Sequence, residues 1–349
     1  MKFIYSVVRN FRNLRPDLKV EWDPGINLVL GRNGSGKTNL LESLSILSGW
    51  GAFGKTSNVI TWGSELPRAF AGAEVSGEGR EKFTVSADVS SRISLRLDGK
   101  AITSTDLRLS LPSILFLTSS INLIDGSPSS RRLFIDRLCS LFYPPYAKRL
   151  SEFRYILRNR ITLLRQGKSP DRTLIPFCQL GGYIMDARRE TLSQLIGLIP
   201  PGRFSMSFMP VLKVSGEEYL RESLRRNYGR ELRAFRPLDG PNYDDVAITV
   251  DSDGRPASEA LSRGQKRRLI LYIIITAGKM TALKLKRNPV LLFDDLTAEL
   301  DSEGREFVYQ ELVKTKWQVF ITAPEKPFAS RKKFGGIDFD ERRKVTLVF

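Results

Sequence analysis

Gly31-Arg32-Asn33-Gly34-Ser35-Gly36-Lys37-Thr38 decides how the rest of this chain is read. It fits G-x-x-x-x-G-K-[ST], the phosphate-binding P-loop, and each fixed position has a physical task. Gly31, Gly34 and Gly36 permit backbone angles that a Cβ would forbid. Successive N–H groups, those of Asn33 and Ser35 among them, can then turn inward around phosphate oxygens. Lys37 brings a compact positive charge to the β/γ-phosphates, and the Thr38 hydroxyl can ligate Mg²⁺. Upstream, Ile26-Asn27-Leu28-Val29-Leu30 reads as a mostly buried strand. Downstream, Leu40, Leu41, Leu44 and Leu47 line one face of a helix that Gly49 would end. That helix would aim its positive N-terminus at the phosphates.

The remainder of a nucleotide site has to come from distant sequence. Pro289-Val290-Leu291-Leu292-Phe293-Asp294-Asp295 is a buried strand ending in two carboxylates. Beside a P-loop, Asp294 can hold Mg²⁺ through water while Asp295 orients or deprotonates the attacking water. Leu261-Ser262-Arg263-Gly264-Gln265 precedes an apolar helix over 269–276. Ser262 and Gly264 at such an N-terminus form an anion-binding nest suited to a γ-phosphate, or else an ordinary cap. Its spacing from the P-loop leaves open whether it meets the same chain's nucleotide. Ala298-Glu299-Leu300-Asp301 follows the acidic strand, and Gln318-Val319-Phe320-Ile321-Thr322 is a further strand ending in a hydroxyl.

Composition narrows the chemistry. At 349 residues and 41% hydrophobic, the chain can hold one large domain or two. A net charge of +17 favours polyanionic partners. Histidine is absent, which excludes Ser-His-Asp and Cys-His mechanisms. Cys139 and Cys178 form no C-x-x-C pair, so a zinc site and a disulfide framework are not expected, and both read as reduced core thiols of a cytosolic protein. The segment Met1-Lys2-Phe3-Ile4-Tyr5 has no apolar signal-peptide region, and the run from Leu269 to Ala277 is too short to span a bilayer.

Along the chain, Phe3 to Val8 and Leu18 to Trp22 read as a strand pair. Phe83 to Val89 and Ile93 to Leu97 read as antiparallel strands with a turn at Asp98-Gly99-Lys100, and Ile114 to Leu117 as a buried strand. Helical periods begin after Gly126-Ser127-Pro128, with Ser127 as N-cap and Pro128 in the first turn. Pro144-Pro145 and the stretch from Gly167 to Pro170 separate three helices, the last, continuous or interrupted, from Leu174 to Leu198. Between Arg131 and Arg172 there are 11 Lys/Arg and only three acids, Asp136, Glu152 and Asp171. That imbalance favours a polyanion contact over a merely solvated face. Strands return at Phe204 to Leu212 and Val246 to Val250, with Asp251-Ser252-Asp253-Gly254 as a turn. The expected division is therefore 1–125 and 201–349 as the two parts of a head, with a helical lobe over 126–200.

The order P-loop, Ser-x-Gly-Gln signature, acidic strand, Leu-Asp loop and terminal strand resembles the ABC-type ATPases. Within them the chain resembles most the RecF family of bacterial recombination mediators. The resembling segments are Asn10-Phe11-Arg12-Asn13, Gly36-Lys37-Thr38-Asn39-Leu40-Leu41-Glu42, and Gly126-Ser127-Pro128 with Arg131-Arg132-Leu133-Phe134-Ile135-Asp136-Arg137. Ser262-Arg263-Gly264-Gln265, Leu292-Phe293-Asp294-Asp295, Glu299-Leu300-Asp301 and Gln318 to Thr322 complete them. Two places depart from the family pattern. Thr118-Ser119-Ser120-Ile121 stands for Pro-Glu-Asp-Leu, and Gly240-Pro241-Asn242-Tyr243-Asp244-Asp245 for Gly-Pro-His-Arg-Asp-Asp.

The resemblance implies an α/β fold: a P-loop NTPase of ABC-ATPase head type with an antiparallel β subdomain and a helical insertion lobe. It implies ATP and Mg²⁺ as ligands, with Arg12, Asn13 and Asn39 joining the P-loop at ATP and Thr322 joining Lys37, Asp294 and Asp295 in catalysis. Ser262, Gly264 and Gln265 would act in trans across an ATP-dependent homodimer, with Asp301 in the D-loop. Slow hydrolysis would reset a cytoplasmic, nucleoid-associated clamp on double-stranded, gapped or junction DNA. Its partners would be RecR and RecO in the RecA-loading pathway. Arg131, Arg132, Arg154, Arg158 and Arg165 are the expected DNA contacts. The rival readings are a transporter ATPase, an SMC-like head, and a clamp that binds ATP without turnover. Asp-Asp in place of Asp-Glu, the missing switch histidine and an insertion without long heptads stand against the first two.

Overall fold

The computed structural model describes residues 1–14, 17–77, 79, 81–199, 204–250, 254–296, 300–324, 335–338 and 343–344. They group into two compact units, 1–120 with 262–349, and 121–261.

The first unit begins with β1 (Lys2–Arg9) and its antiparallel partner β2 (Leu18–Glu21), then β3 (Ile26–Leu30) and α1 (Lys37–Leu47). Strands β4 (Ala69–Ser76), β5 (Lys82–Val89), β6 (Ile93–Leu97) and β7 (Lys100–Ile102) extend β1 into an antiparallel sheet of order β2-β1-β4-β5-β6-β7. The Asp98-Gly99 loop has positive φ at both residues, 46° and 75°, as a two-residue hairpin turn requires. Then follow α2 (Ser104–Ser110) and β8 (Ser113–Phe116).

The second unit comprises α3 (Pro128–Phe142), α4 (Tyr146–Arg165), α5 (Leu174–Gly197), β9 (Phe204–Met209), α6 (Gly216–Ala234), β10 (Asp245–Val250) and α7 (Ala257–Ala260). Three features sharpen or differ from the sequence reading. Ser127 is the N-cap residue of α3, but its hydroxyl pairs with that of Ser129, 2.6 Å away, instead of capping the helix. Helix α5 runs unbroken. The segment between β9 and β10, to which the sequence reading assigns no element, folds as α6, whose N-cap Ser215 accepts a hydrogen bond from the Glu218 N–H. Two glycines inside α5 let α6 approach. A Cβ on Gly182 would lie 2.2 Å from the Glu217 nitrogen, and one on Gly181 2.7 Å from Leu220 Cδ1. With α6 on α5 and β9 paired to β10, residues 201–261 group with the helical segment, whereas the expected division put them in the head. The expected turn at 251–253 lies outside the described residues.

The chain then re-enters the first unit through α8 (Arg263–Leu285), β11 (Val290–Phe293), α9 (Ser302–Thr315), β12 (Val319–Ala323), β13 (Gly335–Asp338) and β14 (Arg343–Lys344). Among the described residues the second large sheet has the order β14-β13-β3-β12-β11-β8, parallel from β13 to β8. Strand β11 is buried throughout, as a parallel strand covered on both faces should be. The fully buried Gln318 joins this sheet to the other: its amide accepts from the Phe3 N–H at 2.7 Å and donates to the carbonyls of Phe3 and Asp23. Phe320 packs edge-on against Trp22, 4.9 Å between centroids.

The second unit holds its charges inside. Arg160 and Glu231, both 1% exposed, pair at 2.8 Å, and Arg160 also donates to Pro170 O and Thr173 Oγ1. Glu231→Ala would strand a buried guanidinium and is expected to destabilise this unit by about 3–5 kcal/mol. Urea unfolding followed by far-UV circular dichroism measures this, and a change under about 1 kcal/mol would contradict it.

Candidate functional site

The parallel sheet delivers the P-loop and the acidic strand to one place because β3, β12 and β11 are neighbours and end on the same side. A cleft of about 280 Å³ opens there, lined by Asn13, Asn33, Gly34, Gly36, Lys37, Thr38, Asn39, Asp294, Asp295 and Thr322. Gly36 precedes α1 at φ 111°, and a Cβ there would stand 2.7 Å from Leu14 Cδ2 and 2.9 Å from Asn13 Oδ1. Glycine is required for both reasons. Lys37 Nζ donates to the carbonyls of Gly31 and Arg32, at 2.5 and 2.9 Å. The Ser35 N–H closes the loop onto Arg32 O at 3.2 Å.

One carboxylate oxygen organises the cleft. Asp294 Oδ1 accepts from Thr38 Oγ1 and from Thr322 Oγ1, each at 2.8 Å. The Asp294 N–H is anchored on Phe116 O of β8. Thr322 Oγ1 in turn accepts the Asp295 N–H at 2.9 Å. Asp295 holds φ 53°, a left-handed conformation that a non-glycine residue keeps only where its surroundings impose it. The buried Arg267 contributes, donating to Asp295 O at 3.1 Å. Thr38 and Asp294 thus offer adjacent hard oxygens of the kind Mg²⁺ prefers.

Arg12 is expected at ATP, yet its guanidinium grips Glu42, with Nε and Nη2 donating at 2.6 and 2.7 Å. Glu42 is 1% exposed and also accepts the Phe53 N–H. Asn13 does reach the cleft: its amide donates to Gly34 O and accepts from Asn39 Nδ2, both at 2.7 Å. Ser262 and Gln265 form a reciprocal capping box at the start of α8. Neither they nor Gly264 line this chain's cleft, and both side chains are exposed. Asp301 is the N-cap of α9, its carboxylate accepting the Gly304 N–H at 2.7 Å. Residues 297–299, the start of the expected D-loop, lie outside the described residues.

The second unit divides the five arginines expected at DNA. Arg131 is enclosed by a two-point pair with Asp245, at 2.6 and 3.0 Å, and donates to Gly126 O. Arg132 donates to Asp244 O. Arg131 therefore braces α3 against β10, and its charge is already matched. Arg154, Arg158 and Arg165 of α4 are exposed. Behind them, Arg188 joins Asp136 at 2.9 Å to Asp244 at 2.8 Å. Burial pushes the Asp244 carboxyl up to about 6, against the pull of Arg188. Burial also pushes the Cys139 thiol up to about 12, and both cysteines are free and buried, which suits core packing and not reactivity.

Glu42 and Arg267 carry functional geometry that the sequence reading did not assign. Glu42 had a visible signal: an acid among Leu40, Leu41 and Leu44 of a buried helix needs a partner. Arg267 was hidden in the run Lys266-Arg267-Arg268, where nothing marks one cation as the buried one.

The model of the RecF/RecN/SMC N-terminal domain family matches residues 4–344. The DNA replication and repair protein RecF of Leptospira interrogans serovar Lai is 31% identical over 340 residues, covering 92% of this chain and 91% of the relative. That of Desulforudis audaxviator is 30% identical over 348 residues, covering 93% and 94%. Among solved structures, the recombination mediator RecF with ATPrS superposes with a TM-score of 0.84 at 24% identity, covering 97% of this chain and 96% of that one. An Smc head bound to the C-terminal winged-helix domain of ScpA gives 0.57 at 18% identity, covering 100% and 98%. These likenesses fix the fold as that of an ABC-type ATPase head. The chain belongs to the RecF/RecN/SMC N-terminal domain family and, within it, to the RecF proteins.

Proposed function

We propose that this chain is an ATP-dependent DNA-binding protein of recombinational repair and replication-gap processing. The observation that carries the proposal is Asp294 Oδ1, bridged by Thr38 and Thr322 at the mouth of a P-loop. ATP would enter with its phosphates over the loop. Lys37 would exchange two carbonyl partners for β/γ-phosphate oxygens. Asn13 and Asn39 would flank the site, with Arg12 held ready by Glu42. Thr38 and Asp294 would hold Mg²⁺, which neutralises phosphate charge when bound. Asp295, aimed by its left-handed backbone and by Thr322, would orient or deprotonate the attacking water. A single carboxylate without a histidine supports slow turnover.

The exposed Ser262 and Gln265, with the half-buried Gly264, supply a capped helix N-terminus away from this chain's own cleft. That placement supports a homodimer in which each signature meets the other subunit's γ-phosphate. Hydrolysis would then open the clamp. Since the relatives are named DNA replication and repair proteins and the similar solved RecF is described in the RecFOR pathway, the partners would be gapped or junction duplex DNA, RecR and RecO, with RecA loading as the outcome. Arg154, Arg158 and Arg165 on α4 are the phosphate contacts supported by exposure.

Lys37→Ala is expected to weaken ATP binding about 100-fold. Asp295→Asn should bind ATP as the wild type does, turn it over at least about 100-fold more slowly, and persist as a dimer by light scattering. Unchanged turnover would remove Asp295 from this role, and a monomer at saturating ATP would remove the clamp. For DNA, the log–log salt dependence of duplex binding should flatten by about two in Arg158→Glu with Arg165→Glu, if each meets one phosphate. An unchanged slope would place the DNA surface elsewhere.

A further inference from the structure

The second unit contains a cleft of about 480 Å³ that the nucleotide chemistry does not use. Helix α4 supplies one wall through Leu150, Phe153, Arg154 and Leu157, spaced i, i+3, i+4 and i+7. Helix α3 supplies the other through Arg132 and Leu133, with Arg188 and Pro241-Asn242 also lining the space. Leu150, Phe153 and Pro241 are buried, while Leu133 stays 52% exposed at the rim.

The charge around this space is lopsided. Its lining has three cations, Arg132, Arg154 and Arg188, and one acid, Asp136. Asp136 is already matched, accepting from Tyr146 Oη at 2.5 Å and from Arg188 Nε at 2.9 Å. With Asp244, Asp245 and Arg131 behind the wall included, the group still sums to one net positive charge, and the exposed Arg154 carries it at the rim. Asn242 also lines the space, but its Oδ1 is buried on the side of Gly240 and has no hydrogen-bond partner among the described residues. Gly240, at φ 135°, leaves room for it: a Cβ there would come within 3.0 Å of that oxygen.

We propose that this cleft docks an acidic peptide segment of a partner protein, which inserts one large apolar side chain between Leu133, Leu150, Phe153 and Leu157. A buried apolar anchor inside a charged rim is how small interfaces concentrate their affinity. The acids of the segment meet Arg154 and Arg132. Duplex DNA offers phosphates to the rim but no apolar side chain to fill the floor. Arg158 and Arg165 do not line the cleft, so the peptide site and the DNA face share Arg154 alone.

Fluorescence anisotropy of the full chain tests this with a short labelled peptide of aspartate and glutamate around a single phenylalanine. Saturable binding is expected, weakening at least about tenfold when that phenylalanine becomes alanine and weakening also with added salt. Leu133→Glu and Arg154→Glu should each weaken it at least about tenfold. Lys148→Glu, on the same helix but outside the cleft, should leave it within about twofold. Both altered positions are exposed, and either variant with a native circular dichroism spectrum suffices. Absence of saturable binding, equal binding of the alanine peptide, or wild-type affinity in the two cleft variants would each overturn the proposal. So would loss of duplex DNA binding in Leu133→Glu without any peptide binding, which would assign the cleft to DNA.

Discussion

The first unit depends on one shared acceptor, the Asp294 oxygen that receives hydroxyl hydrogen bonds from Thr38 and Thr322. Thr38 and Asp294 are 256 positions apart, so their 2.8 Å contact exists only if the parallel strands β3, β12 and β11 are in register. Close packing on both faces enforces that register. Leu291 lies opposite Val319, and Ile321 opposite Leu28, all nearly inaccessible, so a slip by one residue would reverse every side chain. Hydroxyls and carboxylate are thereby held in place before any nucleotide arrives, which is the preorganisation that electrostatic catalysis needs.

This half of the protein was legible in the sequence because its chemistry is local. Glycines at forced backbone angles, a lysine and threonine at fixed offsets, and an apolar strand ending in two acids each declare themselves within a few residues. What could not be read was pairing between distant residues. Arg131 looked like a DNA contact in a run with few acids, but its partner Asp245 lies 114 positions away. Arg12 is expected at ATP for its place in the family motif, and the partner that holds its guanidinium there, Glu42, lies 30 positions away. Helix α6 was missed because its charged sequence buries little beyond Leu220 and Leu224. A stripe that narrow gives a weak period, and the Ser215-x-x-Glu218 cap was the signal that remained.

The second unit shows how a basic segment can be both structural and available. Arg160 and Arg188 are buried and paired, so the sequence excess of cations overstates the free charge. The exposed arginines Arg154, Arg158 and Arg165 form one row on α4 at spacings of four and seven, and of these only Arg154 lines the cleft with apolar walls. Arg154 can therefore border the cleft while Arg158 and Arg165 continue the same row beyond it.

The central claim is that Asp294 couples the P-loop to Mg²⁺-dependent ATP binding. Equilibrium ATP affinity of the wild type and of Asp294→Asn, each with and without Mg²⁺, tests it most directly. Asparagine keeps an acceptor for Thr38 and Thr322 but loses the charge. The account predicts equal affinities without Mg²⁺, and an enhancement by Mg²⁺ that the variant has lost. Full enhancement retained by Asp294→Asn would contradict it.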